Sequence, residues 1–279
     1  MKKITLLLLS ATMLITFSCR KPKDVNVIPN SSSFDLTQLP AKFSQNALLE
    51  EFTATWCGYC PNMPPQILPF VEANPDRVFL VAYQQGDDID PSVAPNDQAT
   101  QMASHYGVSG IPDYCANRVG GTSYNPSWLN NQIDDGLAIS TTLNGKVATV
   151  NVYAGFKTTV SAPLVLTVLV IEDKVIADQH NYMDGDVTSP FYGMGNPIPN
   201  YDHHGCFRKA LTNVLGDAIP SIDAQAGKIY TKSFTVDLSA YNLANCKVIA
   251  MIHKASGNAV SDGITNFQMA PVGKTTAWN

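Results

Sequence analysis

The spacing of apolar positions along the chain changes near residue 140. Before that point, short apolar runs alternate with segments of helical spacing. Ala47–Thr53 and Val78–Tyr83 have the composition of strands, and the second is a continuous apolar run of the kind found in buried parallel strands. The segments whose spacing predicts helices are Cys60–Ala73, Asn96–Tyr106 and Pro126–Ala138. This alternation predicts an α/β domain over residues 41–140.

After residue 140, helical spacing nearly disappears and β-branched or alternating runs take its place. The runs that predict strands are Val147–Tyr153, Leu164–Val170, Lys228–Leu238 and Lys247–His253. The stretch Tyr182–Gly205 is rich in Gly, Pro, Asn and Tyr and predicts a long loop. Residues 141–279 are therefore expected to form an all-β sandwich of the immunoglobulin-like class.

Residues 1–18 have the order of a secretory signal. Lys2 and Lys3 precede the mostly apolar run Ile4–Phe17, and the small residue Ser18 follows it. The run is shorter than the roughly 20 residues that a helix needs to span a bilayer. A buried core helix is the alternative interpretation.

Cleavage after Ser18 leaves Cys19 at the new N-terminus. The segment around it resembles the lipid-attachment signal of bacterial lipoproteins, although Thr16 stands where an aliphatic residue is usual. The resemblance implies a lipid on Cys19. Residues 19–40 mix Lys, Pro, Asn and Ser and are expected to form a flexible tether between the lipid and the folded chain.

Composition and charge narrow the classes of function. The 279 residues are 45% hydrophobic and 15% charged, which is enough apolar material to fill a core. The formal net charge is −5, and loss of Lys2 and Lys3 with the signal makes it −7. An acidic chain of this kind has no basic footprint for phosphates, so nucleic acid is not an expected partner.

The strongest chemical signal is the segment Trp56–Pro61, with the order Trp-Cys-Gly-Tyr-Cys-Pro, where the first strand meets its helix. Two cysteines three positions apart at a helix start lie on one turn. Free N–H groups at the helix start favour a thiolate at Cys57, and Cys60 is placed to attack a mixed disulfide formed there. Half a zinc site and a structural disulfide are the alternatives. Zinc needs a second close pair of ligands, which the sequence lacks, so no metal is expected. No cofactor is expected either.

The same region resembles the thioredoxin family. Tyr106–Pro112, which ends in Gly-Ile-Pro, is similar to the loop in which that family carries a cis-proline facing its cysteine pair. The resemblance implies that Pro112 is cis and that the backbone of Ile111 binds substrate as an added strand. Trp56 and Tyr59, which directly precede Cys57 and Cys60, are expected to contact substrate as well.

Glu51, six residues before Cys57, falls where the thioredoxin family often has a buried acid that assists proton transfer at the deeper cysteine. A buried carboxyl has a raised pKa, which suits that task, whereas a solvated strand residue is the alternative. Strand alternation places Glu50 on the opposite face, where no redox role is expected. The expected catalytic residues are Cys57, Cys60, Glu51 and Pro112.

The cysteines and histidines outside this motif give weaker signals. Cys206 and Cys246 are candidates for a disulfide between two segments of the sandwich, because exported chains keep disulfides. Cys115 is interpreted as a buried, inert thiol. His203 and His204 are weighed as metal ligands against exposed loop residues, and the second interpretation is favoured because no ligand pattern surrounds them.

Over its whole length, the chain resembles the Omp28 family of outer-membrane proteins. A lipoprotein signal, an α/β thioredoxin-like domain and a β-sandwich follow one another in both. Asp202–Leu211 is similar to a signature of the second domain of that family. The resemblance implies a lipoprotein of the cell envelope, held at the outer membrane by its lipid and facing the periplasm or the surface.

The sequence thus leads to the hypothesis of an exported thiol–disulfide oxidoreductase that acts on protein thiols or disulfides. Cys57 is its nucleophile and Cys60 its resolving thiol, and its redox partner is unknown. The alternative is a non-catalytic envelope lipoprotein that keeps the thioredoxin-like scaffold and uses the β-sandwich for binding or adhesion.

Overall fold

Strands make up most of the regular structure in the described part of this protein. The computed structural model describes residues 35–86, 89, 98–255 and 263–279, so the expected signal 1–18 and Cys19 lie outside the described residues. Within the described ranges the helices are α1 (Pro64–Ala73) and α2 (Gln98–His105), and 3-10 turns lie at Cys60–Asn62 and Pro126–Asn130. No helix in these ranges has the length and apolar character that a membrane span requires. The strands are β1 (Phe43–Ser44), β2 (Ala47–Thr53), β3 (Val78–Gln84), β4 (Asp113–Ala116), β5 (Gln132–Ile133), β6 (Asp135–Asn144), β7 (Val147–Phe156), β8 (Leu164–Glu172), β9 (Val175–Gln179), β10 (Ile198–His203), β11 (Cys206–Ala210), β12 (Asp217–Ile219), β13 (Ile229–Asp237), β14 (Cys246–Lys254), β15 (Ile264–Pro271) and β16 (Thr275–Thr276).

Strands β2 and β3 run parallel, side by side, and every residue of both is buried. A parallel pair buried in this way needs cover on both faces. Alternation along the strands provides it: Leu49 and Leu80 pack with Ile67 of α1 on one face. Leu48 and Tyr83 belong, together with residues of α2, to the larger core on the other face. The cysteine pair comes between β2 and α1, at the end of the first of these faces.

Strands from the C-terminal half extend the same sheet. Its order is β15-β14-β8-β11-β3-β2-β4, and β12 also pairs with β8. β11 is the junction, because Cys206 pairs with Ala82 of β3 in parallel register and with Glu172 of β8 in antiparallel register. Residues on both sides of the expected boundary at residue 140 therefore share one sheet, and the boundary itself falls inside β6.

A four-stranded antiparallel sheet, β13-β7-β6-β16, packs on this larger sheet. Leu137 and Val152 from the smaller sheet share one core with Met251 and Phe267 from the larger. The C-terminal half thus contributes strands to two packed sheets, and the immunoglobulin-like class expected for it stays a prediction. The larger of them also contains β2, β3 and β4 from the N-terminal half.

The prediction of a helix over Pro126–Ala138 is wrong beyond the first turn. A 3-10 turn ends at Asn130, and β6 begins at Asp135. Leu137 and Ile139 of β6 are fully buried, and the strand pairs with β7 along its whole length. Burial of alternating apolar side chains in a long ladder outweighs local helical spacing here.

The stretch Tyr182–Gly205, expected to be a loop, contains β10. This strand pairs antiparallel with β9, with Tyr201 opposite Ala177 and His203 opposite Val175. The resulting hairpin carries side chains of the C-terminal half to the cysteine pair of the N-terminal half.

Candidate thiol–disulfide site

The cysteine pair lies in the turn that follows β2. Cys57 and Cys60 form a disulfide, with their Cα atoms 5.3 Å apart. The N–H of Cys57 donates to the carbonyl of Ala54 (3.1 Å), and the N–H of Cys60 donates to the carbonyl of Cys57 (3.1 Å). Cys57 is 6% exposed and Cys60 is 2% exposed. Both cysteines are therefore buried, and Cys57 is the slightly more exposed of the two.

The α-helix expected to begin at Cys60 begins later. A 3-10 turn covers Cys60–Asn62, and α1 starts at Pro64. Pro61, Pro64 and Pro65 carry no N–H group, so this segment offers few free donors in its first turns. The electrostatic support that a helix start would give to a thiolate at Cys57 is correspondingly weaker than expected.

The loop before β4 faces the disulfide. The peptide bond between Ile111 and Pro112 is cis, as the resemblance implies. The Sγ atom of Cys57 lies 3.7 Å from the carbonyl oxygen of Ile111, and Ile111 packs against Ala54 and both cysteines. The fold thus brings together two motifs that are 54 positions apart in the sequence.

Trp56 and Tyr59 lie on the surface beside the disulfide. Trp56 is 50% exposed, and its Nε1 donates to the carbonyl of Gln85 (2.8 Å). Tyr59 is 58% exposed, and its ring meets that of Tyr182 edge-on with 5.3 Å between the centroids. Both aromatic side chains have free surface for a polypeptide that approaches the disulfide.

Glu51 lies behind the cysteine pair. It is 3% exposed, which excludes the solvated alternative. Burial raises the pKa of Glu51 to about 8, against the opposing effect of a hydrogen bond with Thr53. Its side chain lines a small cavity together with Cys60. A carboxyl that exchanges its proton near neutral pH is suited to take a proton from a thiol.

Glu50 lies on the opposite face of β2, as alternation predicts. The hydroxyl of Tyr83 donates to its Oε1 (2.9 Å), and Nε of Arg118 lies 3.4 Å from the same oxygen. Burial raises the pKa of Glu50, and the neighbouring Arg118 opposes that effect. These contacts make Glu50 part of the core under α2 and not of the candidate thiol–disulfide site.

Sequence reasoning missed a segment that holds the cysteine turn from outside. We call Gln179–Met183 the strap. The side-chain amide of Gln179 donates to the carbonyl of Cys57 (2.9 Å) and lies 3.1 and 3.2 Å from the carbonyls of Thr55 and Ala54. One buried amide therefore ties the strap to the cysteine turn, in addition to the backbone N–H groups that donate to the same carbonyls.

The ring of Tyr182 in the strap lies directly over Gly58. The N–H of Tyr182 donates to the carbonyl of Gly58 (2.9 Å), and a Cβ atom on Gly58 would come within 2.3–2.6 Å of the Tyr182 ring. Glycine is therefore required between the cysteines for this contact. The Tyr- and Gly-rich composition of the stretch Tyr182–Gly205 was the available signal, but it does not indicate where the stretch packs.

The sequence suggests that the two neighbouring histidines are both exposed loop residues. The structure shows that this prediction is wrong. His203 lies in β10 and is 5% exposed, whereas His204 is half-buried. Burial lowers the pKa of His203 to about 4. Burial also raises the pKa of Tyr201 to about 12, and the charge of Glu51 acts in the same direction. All of these residues line the cavity behind Cys60.

The expected bridge between Cys206 and Cys246 is absent, and this prediction is wrong. Both residues are buried, and they lie on β11 and β14, the two strands that flank β8. Each is opposite Glu172, one on either side. Two strand spacings amount to about 9.6 Å, which exceeds the roughly 7 Å between Cα atoms that a disulfide can span. Cys115 is buried, as expected.

The N-terminal part of the chain is similar to thioredoxins. A thioredoxin of Ophiophagus hannah is 34% identical over 83 residues, which are 29% of this chain and 68% of that protein. A thioredoxin H-type of Oryza sativa subsp. indica is 27% identical over 85 residues, which are 30% of this chain and 60% of that protein. The thioredoxin homology is thus confined to less than a third of the chain.

The solved structure of HBP35 of Porphyromonas gingivalis has a similar fold. The TM-score is 0.63, and the alignment covers 82% of this chain and 76% of that chain. Sequence identity is 22%, so the likeness concerns the fold alone.

The family model of the outer membrane protein Omp28 matches residues 99–276. This region is more than half of the chain. It includes Pro112, the strap and His203, and it begins after the cysteine pair. The chain therefore belongs to the Omp28 family of outer membrane proteins, and it carries thioredoxin homology in its N-terminal part.

Proposed function

We propose that this protein is an exported thiol–disulfide oxidoreductase that acts on disulfides or thiols of other proteins. One observation carries the proposal. The Cys57–Cys60 disulfide packs against Ile111 on its outer side, and the buried carboxyl of Glu51 lies on its inner side. The similarity of this part of the chain to thioredoxins supports it.

In the reducing direction, the exchange takes two steps. The Cys57 thiolate attacks a substrate disulfide, forms a mixed disulfide with one substrate sulfur and releases the other as a thiolate, which takes a proton from water. Cys60 then gives its proton to the carboxylate of Glu51, and its thiolate attacks the sulfur of Cys57. The substrate leaves as a second thiolate, and the Cys57–Cys60 disulfide forms. A partner dithiol reverses this oxidation, and its potential relative to that of the pair sets the net direction.

The surface around Cys57 suits an extended polypeptide. The Ile111 backbone lies beside the sulfur and can pair with a substrate strand. Trp56 and Tyr59, each next to one of the two cysteines in the sequence, have exposed rings. Substrate recognition then rests on main-chain pairing and aromatic contact, which tolerate many sequences.

The test is the capture of mixed disulfides. In the Cys60→Ala chain the resolving thiol is missing, so substrates attached to Cys57 stay attached and appear as reducible adducts on non-reducing gels. The control is Cys57→Ala/Cys60→Ala, which should form none of them. The unmodified chain should also accelerate the reduction of insulin by dithiothreitol.

A result without adducts and without insulin reduction would contradict the proposal. It would favour the alternative of a non-catalytic envelope protein, in which the two packed sheets of the C-terminal half act as an immunoglobulin-like binding module.

We further propose that the chain is a lipoprotein of the cell envelope, exported by residues 1–18 and acylated at Cys19. Membership in an outer membrane protein family supports this location. Growth with an alkyne fatty acid should label the chain, and Cys19→Ala should abolish the label. Labelling that survives in Cys19→Ala would contradict the proposal.

A further inference from the structure

A small cavity is lined by residues of the cysteine turn, α1, the strands β2 and β3, and β10. Its volume is about 20 Å³, which exceeds the roughly 10–15 Å³ that one water molecule requires. Cys60 of the cysteine turn and Ala82 of β3 are among the residues that line it. Glu51 of β2, Gln84 of β3 and His203 of β10 are polar residues of its wall.

Three polar atoms at this cavity have no hydrogen-bond partner in the described part of the chain. They are Oε1 of Glu51, Oε1 of Gln84 and Nε2 of His203. The three residues are 3%, 2% and 5% exposed, so bulk water does not compensate them. Unpaired buried polar atoms are uncommon and each requires an explanation. Their convergence on one cavity indicates a shared partner, and a water molecule typically binds two to four such atoms.

The protonation states of the three groups fit a single water. Burial lowers the pKa of His203 to about 4, so the ring is neutral at neutral pH, and its other nitrogen is engaged by the backbone of Ala177. Nε2 therefore offers a lone pair. Burial raises the pKa of Glu51 to about 8, so its carboxyl carries a proton that it can donate. A water that accepts from Glu51 and donates to His203 and Gln84 satisfies all three atoms.

We propose that this cavity binds one water molecule through Glu51, Gln84 and His203, and that His203 is a positioning residue that sets the pH at which Glu51 can take the proton of Cys60. The inference rests on the proposed function, because it concerns the resolving step of that exchange. While both hydrogens of the water are bound to His203 and Gln84, the water can only accept from Glu51, which favours the neutral carboxyl. If position 203 has no acceptor nitrogen, one hydrogen of the water is free to donate to Glu51. That hydrogen bond stabilises the carboxylate of Glu51.

Other ionisable groups surround the same space and act alongside His203. On the hairpin side they are Tyr201, Asp202 and His204, which also line the cavity. Arg208 of β11 acts on His203 through its charge. None of these residues is altered in the variants below, so their contributions are common to all chains compared.

The test separates the two steps of the exchange with Ellman's reagent. The reduced full-length chain carries Cys19→Ser, which removes a thiol outside the described residues. The first release of thionitrobenzoate reports attack by Cys57, and the second reports attack by Cys60. In His203→Phe we expect the pH midpoint of the second release to move about one unit towards acid, a tenfold change in proton affinity. The first release should keep its rate.

Two further variants make the result specific. His203→Gln keeps an acceptor at the cavity and should restore a midpoint close to that of the unmodified chain. His105→Phe changes a histidine at the end of α2 and should leave both releases unchanged. An unmoved midpoint in His203→Phe, with a normal second release, would overturn the proposal.

A measurement without turnover keeps the proposal testable if His203→Phe does not fold. In the unmodified chain, the ¹⁵N resonance of His203 Nε2 should follow the titration of Glu51 near pH 8, and in Glu51→Gln this response should vanish. A resonance that is flat in the unmodified chain would overturn the shared water. If the unmodified chain gives no second release, the proposed function fails, whereas this measurement still tests the water site.

Discussion

Glu50 and Glu51 are adjacent in β2, yet they face two different environments. Glu50 accepts from Tyr83 and lies beside Arg118 in the core under α2. Glu51 lines the cavity behind Cys60, and its Oε1 has no partner among the residues described. The charge of Glu50 is thus compensated by Arg118. Glu51 has no such cation, and its raised pKa favours the neutral, protonated carboxyl. This difference separates the stabilising role of Glu50 from the role in proton transfer that we propose for Glu51.

We expect Glu51 to make the oxidised protein less stable as the pH rises. The pKa of Glu51 is about 8 in the folded chain against 4.5 for a solvated glutamate. Between these values the folded state holds a proton that the unfolded state has lost. The contribution of Glu51 to the free energy of unfolding is therefore fully present below pH 4.5. It decreases by up to about 1.4 kcal/mol per pH unit as the pH rises to 8.

Urea unfolding at pH 5 and pH 8.5 checks this expectation. Glu51→Gln should lose this part of the pH dependence, and Glu72→Gln, at an exposed position on α1, is the matched surface control. Equal pH slopes in Glu51→Gln and the unmodified chain would show that Glu51 titrates normally in the fold.

Arg118→Met should destabilise the protein by about 3–5 kcal/mol, because it leaves the buried Glu50 without its cation. Glu50→Gln/Arg118→Met removes both charges and should recover part of that loss. Denaturant unfolding of the single and double variants measures the coupling between the two residues. Purely additive effects would contradict the ion pair.

Gly58→Ala should destabilise the cysteine turn by about 1–3 kcal/mol, because its Cβ atom would overlap the ring of Tyr182. Gly58→Ala/Tyr182→Ala should cost less than the sum of the two single variants. Gly110→Ala is the control, because no atom lies within 4 Å of the Cβ position there. Thermal unfolding gives the comparison, and an equal loss at Gly58 and Gly110 would contradict the predicted contact.

Cys115, Cys206 and Cys246 should resist alkylation in the folded protein and react after unfolding without reductant. All three are buried. Burial also raises the pKa of Cys246 to about 12, so its reactive thiolate is scarce at neutral pH. Differential alkylation followed by mass spectrometry makes the measurement. A disulfide-linked peptide that joins Cys206 to Cys246 would refute the arrangement of β11, β8 and β14.

The local parts of the site were predictable from sequence. Continuous apolar runs indicate β2 and β3 because their burial depends on neighbours in the same segment. The spacing of Cys57 and Cys60 and the sequence before Pro112 likewise identify a geometry that short segments determine. The predicted contact between these two motifs is confirmed by the 3.7 Å distance from Cys57 Sγ to the Ile111 carbonyl oxygen.

The non-local parts were not predictable. His203 is buried because β9, β10 and the cysteine turn close around it, and no pattern in its own segment reports that cover. The same holds for Gln179, whose amide reaches carbonyls more than 120 positions away. The spacing over Pro126–Ala138 was misleading for the opposite reason, since pairing with β7 determined its second half.

The position of β11 beside β3 has a consequence for dissecting this chain. A fragment ending near residue 140 would contain the cysteine pair and resemble a minimal thioredoxin, yet β3 would lose its neighbour on one side. Its N–H and C=O groups would then form an open edge ready to recruit a strand from another molecule. The fragment would also lack the amide of Gln179 over the cysteine turn. Truncation is therefore a route to self-association, and tests of the proposed activity require the full folded length.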